Sequence, residues 1–246
     1  MSWYMTLAEY LDRKDVNNMI WCRVIICCFV FTTTLTAQKK AEISFQVTFQ
    51  NELLELDTRY HIASNNDTIQ IETLRFYVSQ IELLRKGKVI QEFSQKHFLI
   101  DLDKPLSWHI SEENQTDSQA DAIRFNLGVD SITQVSGAFG GDLDPSNGMY
   151  WTWQSGYINF KMEGSSKFSP SRKHRFQFHL GGYNEQNNAM QSITLAVSTS
   201  NPIAVQLNLD VFLQQNKFSE SHTIMSPGDK AVELSEFIAS LFSIEE

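Results

Sequence analysis

Cysteine occurs at three positions, Cys22, Cys27 and Cys28, and nowhere after them. A chain that sheds this leader has neither a disulfide nor a thiolate metal site. Proline and glycine are sparse as well, at 5 and 11 residues, and no stretch rich in either divides the chain. One folded domain, 38–246, is expected. Cations are outnumbered, 20 Lys and Arg against 29 Asp and Glu. The resulting net charge of -9 sets the molecule as a whole against nucleic-acid backbones and anionic headgroups. Catalytic signatures are missing too: there is no Gly-x-Ser-x-Gly and no His-Glu-x-x-His. No nucleophile, base and oxyanion donor can be named together, so an enzyme is not expected.

A long apolar run is also absent. The stretch from Val24 to Val30, continued by a Thr-rich tail to Ala37, falls short of the roughly 20 apolar residues that a membrane-spanning helix needs. With Arg23 before it and small residues at its end, it reads as a secretory signal cleaved after Ala37. The expected product is exported or periplasmic, with no stable membrane insertion after cleavage. Residues before Met19 carry charges of both signs and fit a signal poorly, which makes Met19 a candidate start.

Short apolar runs fill the remainder. "AEISFQVTFQ" alternates strictly, with Ile43, Phe45, Val47 and Phe49 on one side, the pattern of a half-buried strand. Strand-like runs follow at Ile69–Tyr77, Val78–Leu84 and Val89–Ile90, the last after a Lys86-Gly87 turn. "HFLIDLD", "AIRFNLGVD", "YINFKMEG", "HRFQFHLGG", "SITLAVST" and "IAVQLNLDVFL" continue the series. The fold class expected is all-β, an antiparallel β-sandwich. "SWHISEENQTDSQADA" reads as a polar connection. In "GDKAVELSEFIASLFS", Val232, Leu234, Phe237, Ile238 and Leu241 recur at helical spacing and predict a short C-terminal helix.

Few constellations carry chemistry. Asp142, Asp144 and Ser146 echo a calcium loop, but its sixth and twelfth positions fall on Asn147 and Trp153 instead of Gly and Glu. A Pro-Ser-Asn-Gly turn accounts for the segment. Six histidines lie beyond the leader with Met149, Met162, Met190 and Met225. Imidazole and thioether are the donors that Cu(I) accepts once thiolates are excluded. His179 stands out, on the polar side of the alternating "FQFHLGG" and beside a Gly-Gly break. Densest of all is "NGMYWTWQSGYINFKMEG", residues 147–164, where strand alternation would put Trp151 and Trp153 on one face.

"FYVSQIEL", "FNLGVD", "LDPSNGMYWTWQSGYINFKMEG" and "FHLGG", in that order, make the chain resemble the MbnP-like family, in its Bacteroidetes type, over about residues 42–243. The Met-x-Trp-x-Trp-Gln-x-Gly-Tyr run is the most specific of these motifs. The resemblance implies an exported protein that binds copper, as Cu(I) or Cu(II), for acquisition, storage or delivery. It also implies a partner, a MauG-like di-haem enzyme that oxidises a tryptophan to kynurenine, whose nitrogen then sits near the metal. Carried to this chain, Trp151 or Trp153 is the candidate kynurenine and His179 the first candidate ligand. Many relatives place an Asn-His pair after a Gly-Val-Pro segment, whereas "GVDSITQ" has no His. His222, with Met225 three residues on, and His109 are therefore the further candidate ligands. Two other readings stand beside this one. Trp151, Trp153 and Tyr157 could form a platform for a non-metal ligand if both indoles are exposed, or the motif could be buried solely to stabilise a structural or assembly module of the cell envelope.

Overall fold

The computed structural model describes residues 40–113, 119–153, 156–198 and 202–245. The expected signal, its cleavage after Ala37, the alternative start at Met19 and the three cysteines lie outside the described residues. In chain order the elements are β1 (Lys40–Phe49), β2 (Glu52–Leu53), β3 (Arg59–Ile62), β4 (Asp67–Arg85), β5 (Lys88–Glu92), β6 (His97–Asp101), β7 (His109–Glu113) and β8 (Ala122–Leu127). Then come α1 (Ser131–Val135), β9 (Tyr150–Trp151), β10 (Gly156–Ser166), β11 (Arg175–Gly181), β12 (Gln191–Ala196) and β13 (Ile203–Asn208). The chain continues through α2 (Asp210–Gln215), β14 (Thr223–Ile224), α3 (Asp229–Ala239) and β15 (Phe242–Ile244).

Two sheets result, as the alternating runs require. The large one runs β12-β8-β4-β10-β11-β14, with β3, β5 and β6 also on β4 and β9 on β10. The small one runs β15-β13-β1-β2, with β7 also on β1. Within this all-β sandwich, β1 with β13 and β11 with β14 pair in parallel, which the expectation of purely antiparallel sheets did not include. The two runs read as Ile69–Tyr77 and Val78–Leu84 are one 19-residue strand, β4. Its break in pattern is a bulge: Gln80 takes φ 51°, and the register with β8 shifts between Ser79 and Glu82. The polar connection also contains a strand, since β7 pairs Ile110 with Ile43.

Phenylalanines from both sheets join them. Phe45 of β1 meets Phe125 of β8 edge-to-face at 5.4 Å, and Phe242 of β15 meets Phe76 of β4 at 5.8 Å. Both geometries suit the ring quadrupoles. The helix expected at the C-terminus is α3, which buries Ala231 and Ile238. The outer face of the large sheet is also covered. Tyr77, Leu99, Val129, Leu143, Met149, Trp151, Tyr157 and Ile158 form a second, smaller apolar cluster there. Burial pushes the Tyr77 phenol pKa well up, and its hydroxyl donates to the Asp142 carbonyl at 3.0 Å.

Candidate functional site

A row of charged residues crosses the outer face beneath this cluster. Asp101 of β6 faces Arg75 of β4, Arg75 faces Lys161 of β10, and Lys161 faces His179 of β11, each in direct register. Four ionisable residues in line need partners, and the loop above supplies some of them. The Arg75 Nη1 donates to the Asn147 carbonyl at 3.0 Å and the Lys161 Nζ to the Gly148 carbonyl at 3.2 Å. Arg75 is also paired with Asp101 at 3.0 Å. Gly148 ends the Pro145–Asn147 turn at φ 71°, a left-handed conformation that suits glycine. The turn thus accounts for Asp144, and β6 accounts for Asp142. Asp144 accepts from the Ser146 amide, and Asp142 accepts from the Leu99 amide at 3.1 Å.

The motif follows at once. Tyr150 and Trp151 form β9, which pairs with Tyr157 and Gly156 of β10, and the strand then ends. Trp153 lies in the turn beyond it, so strand alternation does not bring the two indoles to one face. Trp151 is 6% exposed and Trp153 65%, with ring centroids 6.0 Å apart. An aromatic platform needs both rings open to solvent, and Trp151 is closed. Trp151 packs on Gly181: a Cβ there would sit 2.7 Å from its Cζ3 and 2.7 Å from the Tyr157 carbonyl oxygen.

His179 is two residues before Gly181 and therefore on the same side of β11. Its place on the polar side of the strand is as expected, but it is only 6% exposed. The Nε2 lies 2.6 Å from Glu163 Oε1, and Gln177 Nε2 donates to the same oxygen at 3.3 Å. The His179 hydrogen bond holds the Glu163 carboxyl well below its usual range, at about 2. Burial opposes that shift, and the Lys161 charge adds to it. An ionised carboxylate only accepts, so Nε2 carries the proton in this contact, and in the neutral ring Nδ1 then holds the lone pair. Metal-binding histidines are commonly held this way.

The other candidate ligands fall in different places. Gln177 pairs in parallel with Thr223 and Phe178 with Ile224, so Met225 comes one position beyond, level with His179. His222 is level with Phe176 and thus takes the opposite parity; its carbonyl accepts from the Gln177 amide at 2.8 Å. Its Nδ1 is buried without a hydrogen-bond partner. His109 pairs with Ser44 in the small sheet, across the sandwich from His179. Among the described residues, no three His, Cys, Asp or Glu side chains gather closely enough to hold a metal ion. Sequence reasoning missed Glu163, Lys161 and Gly181. The alternation of Lys161 and Glu163 against Phe160 and Met162 is the signal that places the two charges on one face.

No curated protein sequence matches the chain. Among solved structures it is similar to MbnP from Methylosinus trichosporium, with a TM-score of 0.52 at 15% identity, over 74% of this chain and 79% of that one. At that identity the likeness establishes the fold. The family model for MbnP matches residues 38–226, well over half of the chain. The chain belongs to the MbnP family.

Proposed function

We propose that the chain is an exported copper-binding protein that takes up, stores or delivers the metal, and that it is not an enzyme. The contact of Trp151 with Gly181 carries this reading. It brings the most specific motif of the family onto the strand face that bears a buried, carboxylate-oriented histidine. Copper is cargo here, and the donor chemistry suits Cu(I). His179 offers Nδ1 and Met225 follows on the neighbouring strand, while Glu163 orients the imidazole without being a ligand. His222 and His109 are left out by strand parity and by sheet.

Conversion of Trp151 to kynurenine would add an aryl-amine nitrogen donor to this face. The reaction would cleave the indole C2–C3 bond with two oxygen atoms from a peroxide or dioxygen co-substrate. Hydrolysis would release C2 as formate, leaving a ketone and an aryl amine, and a MauG-like di-haem partner would carry the oxidising equivalents. Trp153, exposed and 6.0 Å from Trp151, is the ring that such a partner can reach first.

The test is a Cu(I) competition titration of the exported protein, with peptide mass spectrometry of the same sample. Uptake of Cu(I) is expected. His179→Ala should abolish it, and Glu163→Gln should weaken it about 10- to 100-fold, as loss of a carboxylate behind a ligating histidine does. Uptake unchanged in His179→Ala would end the reading. Unmodified tryptophans together with no copper would instead favour a purely structural module.

A further inference from the structure

We infer that the tip of the β10–β11 hairpin docks the protein on an anionic lipid surface. The net charge of -9 opposes such contact only on average, because the charge is unevenly spread. From residue 164 to residue 184 the chain carries Lys167, Arg172, Lys173 and Arg175 and none of its 29 acidic residues. Arg175 is paired with Glu72. Among the described residues no carboxylate forms an ion pair with Lys167, Arg172 or Lys173, and all three are exposed.

The tip is held in shape. Ser169 Oγ and Ser171 Oγ both donate to the Arg175 carbonyl, at 2.6 and 2.5 Å, and His174 Nδ1 lies 2.9 Å from the Ser169 carbonyl. At its base, Ser166 Oγ donates to the buried Asp67 carboxylate at 2.6 Å. Lys173 and His174 take φ 62° and 56°, uncommon for residues with a side chain, so these hydrogen bonds fix a conformation the local sequence would not hold. Phe168 projects beside the cations, 45% exposed, with the Lys167 Nζ 4.8 Å from its ring centre. An apolar ring flanked by cations is the arrangement that enters a headgroup layer, the ring toward the acyl boundary and the ammonium groups toward phosphates.

A lipid surface fits this tip better than an acidic protein does. Specific protein interfaces use about 20–30 residues a side, far more than one hairpin turn offers, whereas headgroups require no matching shape. Two carboxylates lie close to the tip and each is engaged, Asp67 by Ser166 and Glu72 by Arg175, while at physiological salt charges further than about 8 Å are largely screened and subtract little. Lys167 and Tyr157 stand near opposite ends of β10, about 33 Å apart at a rise of about 3.3 Å per residue. A protein resting on this tip holds Trp151 and His179 away from the membrane.

The exported protein and its K167Q/R172Q/K173Q variant can be compared by co-sedimentation with vesicles, one set of phosphatidylcholine alone and one containing phosphatidylglycerol. Neither arm involves metal, so the result stands apart from the copper reading. The variant is expected to partition about 100-fold less onto the anionic vesicles, at about fivefold per cation, and both proteins to bind the neutral vesicles poorly. Added salt should bring the parent down toward the variant, and Phe168→Ser should weaken parental binding at every salt concentration. Equal partitioning of parent and variant would overturn the proposal. So would retention of the parent by immobilised poly-glutamate without vesicle binding, which would assign the tip to an acidic protein. If the triple variant does not fold, as judged by its melting temperature, Arg172→Gln alone decides, with an expected loss of about fivefold.

Discussion

Phe76 and Tyr77 are neighbours on β4 and look to opposite sides of the large sheet. Phe76 enters the packed layer between the sheets, against Phe45, Phe160 and Phe242. Tyr77 enters the cluster on the outer face, against Tyr157, with its hydroxyl bonded to the loop. The inner layer is built mainly from apolar side chains and holds the sheets together chiefly by their burial. The outer layer sits over Asp101, Arg75, Lys161 and His179, and depends on hydrogen bonds to loop carbonyls to cover them. One side of the strand thus builds the scaffold, and the other carries a smaller apolar cluster laid over charged side chains.

The largest effect expected from this contrast is in the inner layer. Phe76→Ala should destabilise the protein by about 3–5 kcal/mol, as large-to-small changes of buried aromatics do, and lower the denaturant midpoint accordingly. Gly181→Ala addresses the outer layer. The added methyl group meets Trp151 and the Tyr157 backbone, and overpacking of this kind costs about 1–3 kcal/mol. Trp151 should move, which tryptophan fluorescence reads, and on the proposed function Cu(I) affinity should fall with it. A cost equal to that of Phe76→Ala would mean that the two layers unfold as one unit and that the outer cluster is scaffold after all.

Alternation made the inner layer legible: Ile43, Phe45, Val47 and Phe49 are all buried where the pattern put them. It failed where its period is hidden. His109–Glu113 holds one inward apolar residue, Ile110, too few to mark a strand. "DVFL" continues an apolar run, yet the chain turns into α2 at Asp210 because the strand has already ended at Asn208. The parallel partnership of β1 and β13 joins segments some 160 residues apart, and no local pattern encodes it. At the site, the Gly-Gly break flagged His179, but its partner Glu163 comes from the adjacent strand and becomes visible only with the register. Trp153 was misplaced because a two-residue strand is too short for alternation to govern the residue after next.

The smallest effect sought lies at the edge of the outer layer. Asp130 caps α1, accepting from the Thr133 amide at 3.0 Å and the Thr133 hydroxyl at 2.8 Å, and it pairs with His97 at 3.0 Å. Burial works to raise its pKa, but the Thr133 and His97 contacts outweigh it and hold the carboxyl below its ordinary 3.8. A carboxyl depressed by folding stabilises the native state above its unfolded pKa, and that contribution is lost as pH falls through the folded value. Asp130→Asn keeps a capping oxygen, so its stability at pH 6 should lie within about 1 kcal/mol of the parent. Between pH 6 and pH 3 the parent should lose more stability than the variant, and urea midpoints at the two pH values measure the difference. Because Asp130 serves only the outer layer, the variant should unfold with the same denaturant slope as the parent. Parallel losses in the two proteins would instead place the acid sensitivity elsewhere, in a carboxylate such as Glu163, which His179 holds below its ordinary range.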